Sequence, residues 1–155
     1  MSKVIVVVDA VDISGVEQKK YDDIFYNNIL SKYLKTETSR GTEVVFFTWK
    51  REWWKKVPKY FDWVYKDFNK SISFTSHNEL SEYLLDKDEI LFCGFHLNAC
   101  VERDAKILKN LGHNINIVVN MCSVPMKDMR QDFFDNLLWD GDGYCKVDYS
   151  SWWEK

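Results

Sequence analysis

Five consecutive apolar residues, Val4-Ile5-Val6-Val7-Val8, run without a polar break into Asp9. A half-buried strand alternates apolar with polar side chains, so an unbroken β-branched run predicts a strand covered on both faces. That is a buried strand of a parallel sheet sandwiched between helices. The rest of the chain fits this start. Short β-branched or aromatic runs at 44–48, 60–66, 90–95, 115–119 and 144–147 alternate with helix-length stretches at 16–34, 77–85, 98–111 and 127–138. Over 16–34 the apolar stripe is Tyr21, Phe25, Ile29 and Tyr33. The expected fold class is α/β, three layers deep, with a doubly wound, mostly parallel sheet of five to six strands. The 155 residues carry no linker, repeat or low-complexity stretch, so a single domain over 1–155 is expected.

Composition narrows the function. A net charge of −3 gives no electrostatic footprint for nucleic acid as the main partner. No apolar stretch reaches the roughly 18 residues of a membrane span, and the opening run is too short for a signal peptide. A cytoplasmic protein with no membrane partner is therefore expected. Cys93, Cys100, Cys122 and Cys145 lack CxxC or metal-ligand spacing and are expected to be reduced. Aromatic residues reach 16%, with seven Trp. Trp49, Trp53 and Trp54, interleaved with Lys and Arg, read as an amphipathic segment packing its rings inward. Trp152-Trp153 offers two rings to the domain or to a subunit interface, and a homo-oligomer is expected.

In doubly wound sheets, ligands bind beyond the carboxyl ends of the strands. That rule selects Asp9, Lys66 and the loop from Phe95 to Cys100. Asp9 closes an apolar strand, where a carboxylate must be paired or used; partial burial would raise its pKa and let it take a proton from a thiol. Lys66, at the end of the run 60–66, would favour a thiolate and a developing oxyanion. Lys70 competes for that role. Cys100 falls in the first turn of a helix, whose unpaired N–H groups would take the thiol well below its usual pKa.

The stretch Ile90-Leu-Phe-Cys-Gly-Phe-His-Leu-Asn-Ala-Cys100-Val-Glu-Arg-Asp-Ala105 resembles the nucleophile segment of isochorismatase-like cysteine hydrolases. Gly94, Asn98, Cys100, Val101 and Ala105 match, with Leu97 in place of the usual Thr. The first strand ending in Asp9, and Asp62-Trp-Val-Tyr-Lys66 followed by Ser73-Phe74, are similar to the family's Asp and Lys segments. The resemblance spans roughly 4–123. It implies an Asp9–Lys66–Cys100 triad that cleaves a C–N bond of a small amide or ureide through an acyl-enzyme. It also implies a small carbonyl compound as partner, contacts to it from Phe95, His96, Leu97 and Trp49, and a cis peptide at Phe95-His96. No cofactor is expected. Ala10-Val11-Asp12 lacks the family's usual Gln two residues past the Asp. The segment 48–58 contains no His where nicotinamidases hold a metal, so a metal-independent enzyme is expected. His77, His96 and His113 show no ligand spacing to one another. The alternative is a catalytically inert relative serving as a binding or oligomeric module.

Overall fold

The computed structural model describes residues 2–11, 16–49, 59–68, 72–123, 138–139 and 145–148. Strand β1 (Lys3–Val8) has no exposure anywhere from Val4 to Val8, as its unbroken β-branched run predicts. It pairs in parallel with β2 (Glu43–Phe47) on one side and β4 (Glu89–Phe95) on the other, so Val8 sits between Phe47 and Gly94. Strand β3 (Ser73–Phe74) extends β2, and β5 (Asn116–Ser123) extends β4, both in parallel. This five-stranded all-parallel sheet continues through two antiparallel strands, β7 (Cys145–Asp148) on β5 and then β6 (Leu138–Trp139). Among the described residues the order is β3-β2-β1-β4-β5-β7-β6.

Right-handed crossovers put the connections from β1 to β2 to β3 on one face, and those from β3 to β4 to β5 on the other. The first set carries α1 (Val16–Phe25), a π-helical turn (Tyr26–Leu30), α2 (Ser31–Ser39) and α3 (Asp62–Asp67). The second set carries α4 (His77–Leu84) and, after a π-helical turn (Leu97–Val101), α5 (Glu102–Asn110). Contacts agree: Trp63 of α3 stacks on Tyr26 at 3.7 Å, while His77 of α4 meets Asp104 of α5. Helices on both faces are consistent with a three-layer α/β/α arrangement. Ser76 caps α4 by accepting from the Glu79 N–H, a Ser-x-x-Glu start. No helix among the described residues is long and apolar enough to cross a membrane.

Two expectations are corrected. The run 60–66 is not the third strand. Phe61 and Val64 are buried and Phe68 half-buried, a spacing of three and four, while Tyr65 is exposed; Asp62 in the first turn and Lys66 in the last complement the helix dipole. Residues 62–67 are accordingly α3, and the third strand is Ser73–Phe74. The stripe expected over 16–34 holds in part. Tyr33 is buried and Phe25 packs on the core, but Tyr21 and Ile29 are exposed, while Asp22, Tyr26, Leu30 and Leu34 are buried. The π-helical turn, with its wider i→i+5 repeat, advances the buried face there, and Asp22 is drawn inward by partners described below. The sixth expected strand exists as β7, but runs antiparallel. The helix expected at 127–138 falls outside the described residues up to 137, and Leu138 opens β6. Trp53, Trp54 and Trp152-Trp153 lie outside them too.

Candidate active site

Strand order reverses between β1 and β4, so the loops leaving their carboxyl ends diverge and open a crevice there. Asp9 leaves β1 and Cys100 follows β4, which places the two on either side of this crevice. Asp9 adopts a left-handed conformation at φ 52°, one that Asp tolerates better than most residues. Its N–H donates to the Phe47 carbonyl at 2.8 Å, continuing the ladder one step past β1. The cis peptide between Phe95 and His96 falls where the resemblance implies one, at the entry to the turn that carries Cys100.

The Cys100 thiol stands beside the Asp9 carboxylate, and each shifts the ionisation of the other. Asp9 is buried, and its Oδ1 has no hydrogen-bond partner among the described residues. Loss of water pushes the Asp9 carboxyl up to about 6; the neighbouring Cys100 thiol lowers it, the Asp104 charge raises it, and Arg103 and His96 lower it. Burial also pushes the Cys100 thiol up, followed by the neighbouring Asp9 carboxylate and the charge of Asp104, against one lowering contact from the His96 backbone. The expectation of a thiol lowered by the helix N-terminus is thereby corrected. Burial and two carboxylates outweigh the helix end, so the resting pair is a neutral thiol beside a carboxylate that titrates near 6. Among the described thiols Cys93 and Cys122 are buried and Cys100 is half-buried. Iodoacetamide at pH 8 is therefore expected to modify Cys100 ahead of Cys93 and Cys122, read by peptide mass spectrometry; earlier labelling of either buried thiol would contradict this accessibility.

Charged side chains missed in the sequence surround the pair. Arg103, on the first turn of α5, holds Asp104 through two hydrogen bonds, Nε to Oδ1 at 3.0 Å and Nη2 to Oδ2 at 3.2 Å. The same Nη2 stands 3.9 Å from Asp9 Oδ2, and the guanidinium lies 5.1 Å over the Trp49 ring. Asp104 is fully buried and also meets His77 Nε2 at 2.8 Å. Beside this cluster, at the carboxyl ends of β2 and β3, a cleft of about 470 Å³ is lined by Trp49, Thr75, Ser76, His77 and Asn78. On the opposite face of the sheet, Asp22 of α1 is fully buried and takes His96 Nε2 at 3.0 and 3.1 Å, Gln18 at 3.0 Å and the Ser123 hydroxyl at 2.8 Å. This ties the nucleophile turn to α1 and β5. Each of these carboxylates is paired as buried charge requires.

The predicted contact residues divide. Trp49 and His96 are half-buried at the crevice. Phe95 and Leu97 are 2% exposed, with Phe95 packed on Phe25, Phe61 and Trp63, which leaves their backbone as what they offer a ligand. Lys66 is exposed on α3 and has no ion-pair or hydrogen-bond partner among the described residues; Lys70 lies outside them. His113 meets Ser81 at 2.7 Å, so each of the three histidines has its own partner. Among the described residues no three His, Cys, Asp or Glu side chains converge as a metal site. The His-free segment that replaces the nicotinamidase metal site lies outside the described residues from 50 to 58. The sequence matches no protein-family model and no curated protein, so the chemistry of the site is read from its own residues.

Proposed function

We propose that the chain is an isochorismatase-like cysteine hydrolase that cleaves a C–N bond of a small amide or ureide through a Cys100 acyl-enzyme. The observation that carries the reading is the placing of the Asp9 carboxylate beside the Cys100 thiol at the switch point of the sheet. An acid near 6 beside a neutral thiol is matched to proton transfer at neutral pH. Asp9 takes the thiol proton as sulfur bonds to the substrate carbonyl carbon. The C–N bond then breaks and Asp9 returns the proton to the departing nitrogen. Ionised again, Asp9 draws a proton from water as its oxygen bonds to the thioester carbon. The S–C bond breaks, and that proton passes to the sulfur. The backbone N–H of Cys100 and one from the Phe95–Leu97 turn serve the oxyanion. No step calls on a metal.

Turnover is expected to rise about tenfold per pH unit below roughly 6 and to level above it, because the competent pair needs Asp9 ionised. A panel of small amides and ureides, followed by intact-mass measurement, is expected to give an adduct on Cys100 equal to substrate minus its amine. Cys100→Ala should give neither adduct nor product. Turnover that survives in C100A overturns the reading. The exposure of Lys66 favours a second reading, a binding module without turnover, which expects a ligand to bind beside Trp49 while Cys100 stays unmodified.

A further inference from the structure

The resemblance calls for a cation beside the Asp–Cys pair, and the lysine expected to supply it stands exposed on α3. The guanidinium of Arg103 stands 3.9 Å from Asp9 Oδ2. We propose that Arg103 is the cation of this site, a positioning residue that acts through Asp9 and is itself aimed by Asp104, His77 and Trp49. The inference rests on the cysteine-hydrolase reading for its chemistry, but its geometry stands apart from it.

Three contacts fix the guanidinium. Asp104 grips two of its nitrogens, a bidentate geometry that sets the plane of the group as well as its position. His77 holds the far side of Asp104 from α4 at 2.8 Å, and the Trp49 ring covers the guanidinium at 5.1 Å. The nitrogen that donates to Asp104 Oδ2 also stands 3.9 Å from Asp9 Oδ2. A lysine ammonium is a point charge on a flexible stem; this guanidinium is oriented before any substrate arrives. Asp9 and Asp104 are both buried, so without a cation between them two like charges would share one dry site. Arg103 lies between them and lets Asp9 ionise in the neutral range.

The groups that face Asp9 are Cys100, Arg103 and Asp104 from the turn and α5, His96 at the end of β4, and Tyr60 ahead of α3. His77 faces Asp104 from α4. Of these only Arg103 carries a permanent positive charge, so its removal should move the ionisation of the pair in one direction, upward. The first midpoint in the pH profile of Cys100 alkylation reports that ionisation, because the pair must lose one proton before a thiolate can form beside a protonated Asp9.

The test follows iodoacetamide labelling of Cys100 from pH 5 to 9, by mass spectrometry, in the full chain and in Arg103→Met, Arg103→Gln and Arg103→Lys. Thermal melts check that each variant is folded. R103M is expected to raise the midpoint by about one pH unit, the size of shift that a single charge near 4 Å produces in a partly buried site. R103Q, which can still hydrogen-bond Asp104, should shift by a similar amount and stands in if R103M does not fold. R103K should recover at least half of the shift. A folded neutral variant with an unmoved midpoint overturns the proposal, as does an R103K midpoint no closer to the native one than that of R103Q. The amide panel is run on the same proteins. A shifted midpoint without turnover in the native chain defeats the hydrolase and leaves the role of Arg103 standing; turnover with an unmoved midpoint does the reverse.

Discussion

Replacement of Asp9 by asparagine is expected to yield a protein that is more stable at neutral pH and catalytically dead. In the folded chain the Asp9 carboxyl titrates near 6, against 3.8 for an unperturbed Asp. A raised folded-state value means that the folded protein binds this proton more tightly than the unfolded one does. The stability it contributes is therefore complete below about 3.8 and is lost as pH rises through about 6. At pH 7.5 the ionised, buried carboxylate costs on the order of 3 kcal/mol. Asn removes that cost, keeps an oxygen for the thiol to donate to, and tolerates φ 52° as readily as Asp. Loss of an anion near Arg103 offsets part of the gain. The net expectation is a D9N protein about 1–3 kcal/mol more stable in urea at pH 7.5, with the difference fading towards pH 4. With no base to take the thiol proton, turnover should fall by at least about 100-fold. Denaturation at the two pH values checks the first half: a D9N chain less stable than the native one at pH 7.5, or equally favoured at pH 4, would sink it.

Substitution of Gly94 by alanine should produce the largest loss of stability from one added methyl group. Gly94 lies beside Val8 across the β1–β4 ladder at φ 116°, and a Cβ there would stand 2.6 Å from the Val8 carbonyl oxygen and 2.7 Å from its nitrogen. Those are backbone atoms of a strand hydrogen-bonded on both sides and without solvent exposure, so neither partner can step back. The positive φ adds strain of its own. A loss of about 3 kcal/mol or more is expected. Because Val8 leads directly into Asp9, any relief obtained by parting the strands also draws Asp9 away from Cys100. Gly112→Ala is the control: it shares the positive φ, at 100°, but its Cβ meets nothing within 4 Å, and it should cost only about 1 kcal/mol. Equal urea midpoints for the two variants would refute the steric account.

Strand assignment came easily where burial was total. The runs ending at Val8 and leading to Phe95 are apolar throughout, so two buried strands, and the strand ends near which Asp9 and Cys100 lie, are legible in the sequence. The stretch around Phe61 and Val64 is not, because aromatic and β-branched residues over six positions fit a strand or one buried helix face equally well. Strand β3, at two residues, is too short to leave a pattern. What escaped at the site is long-range pairing. Asp22 reads as a solvated helix residue until His96, 74 positions away, is seen beside it. Arg103 and Asp104 read as two charges on a helix surface. Only the packing of α4 against α5, with His77 at 27 positions' distance, shows that they face inward. The thiol went astray for the same reason: the helix end is visible in the sequence, and the two buried carboxylates that outweigh it are not.

The placement of β1 between β2 and β4 also governs the order in which the chain can acquire structure as it is made. Ser2 donates to Asp88 across 86 positions of sequence, at the foot of the same ladder that joins Val8 to Gly94. At roughly 5–20 residues per second on a ribosome, the most water-averse strand of the protein spends several seconds with one edge unpaired. Its other neighbour, β2, can dock early, and the helices between them can cover one face. The remaining edge is a row of free N–H and C=O groups flanked by valine, the kind of surface on which nascent chains adhere to one another. Contacts of this sequence separation slow folding generally. The base and the nucleophile meet only when the fourth strand closes against the first, so a chain stalled before that point holds every residue of β1 and none of the chemistry.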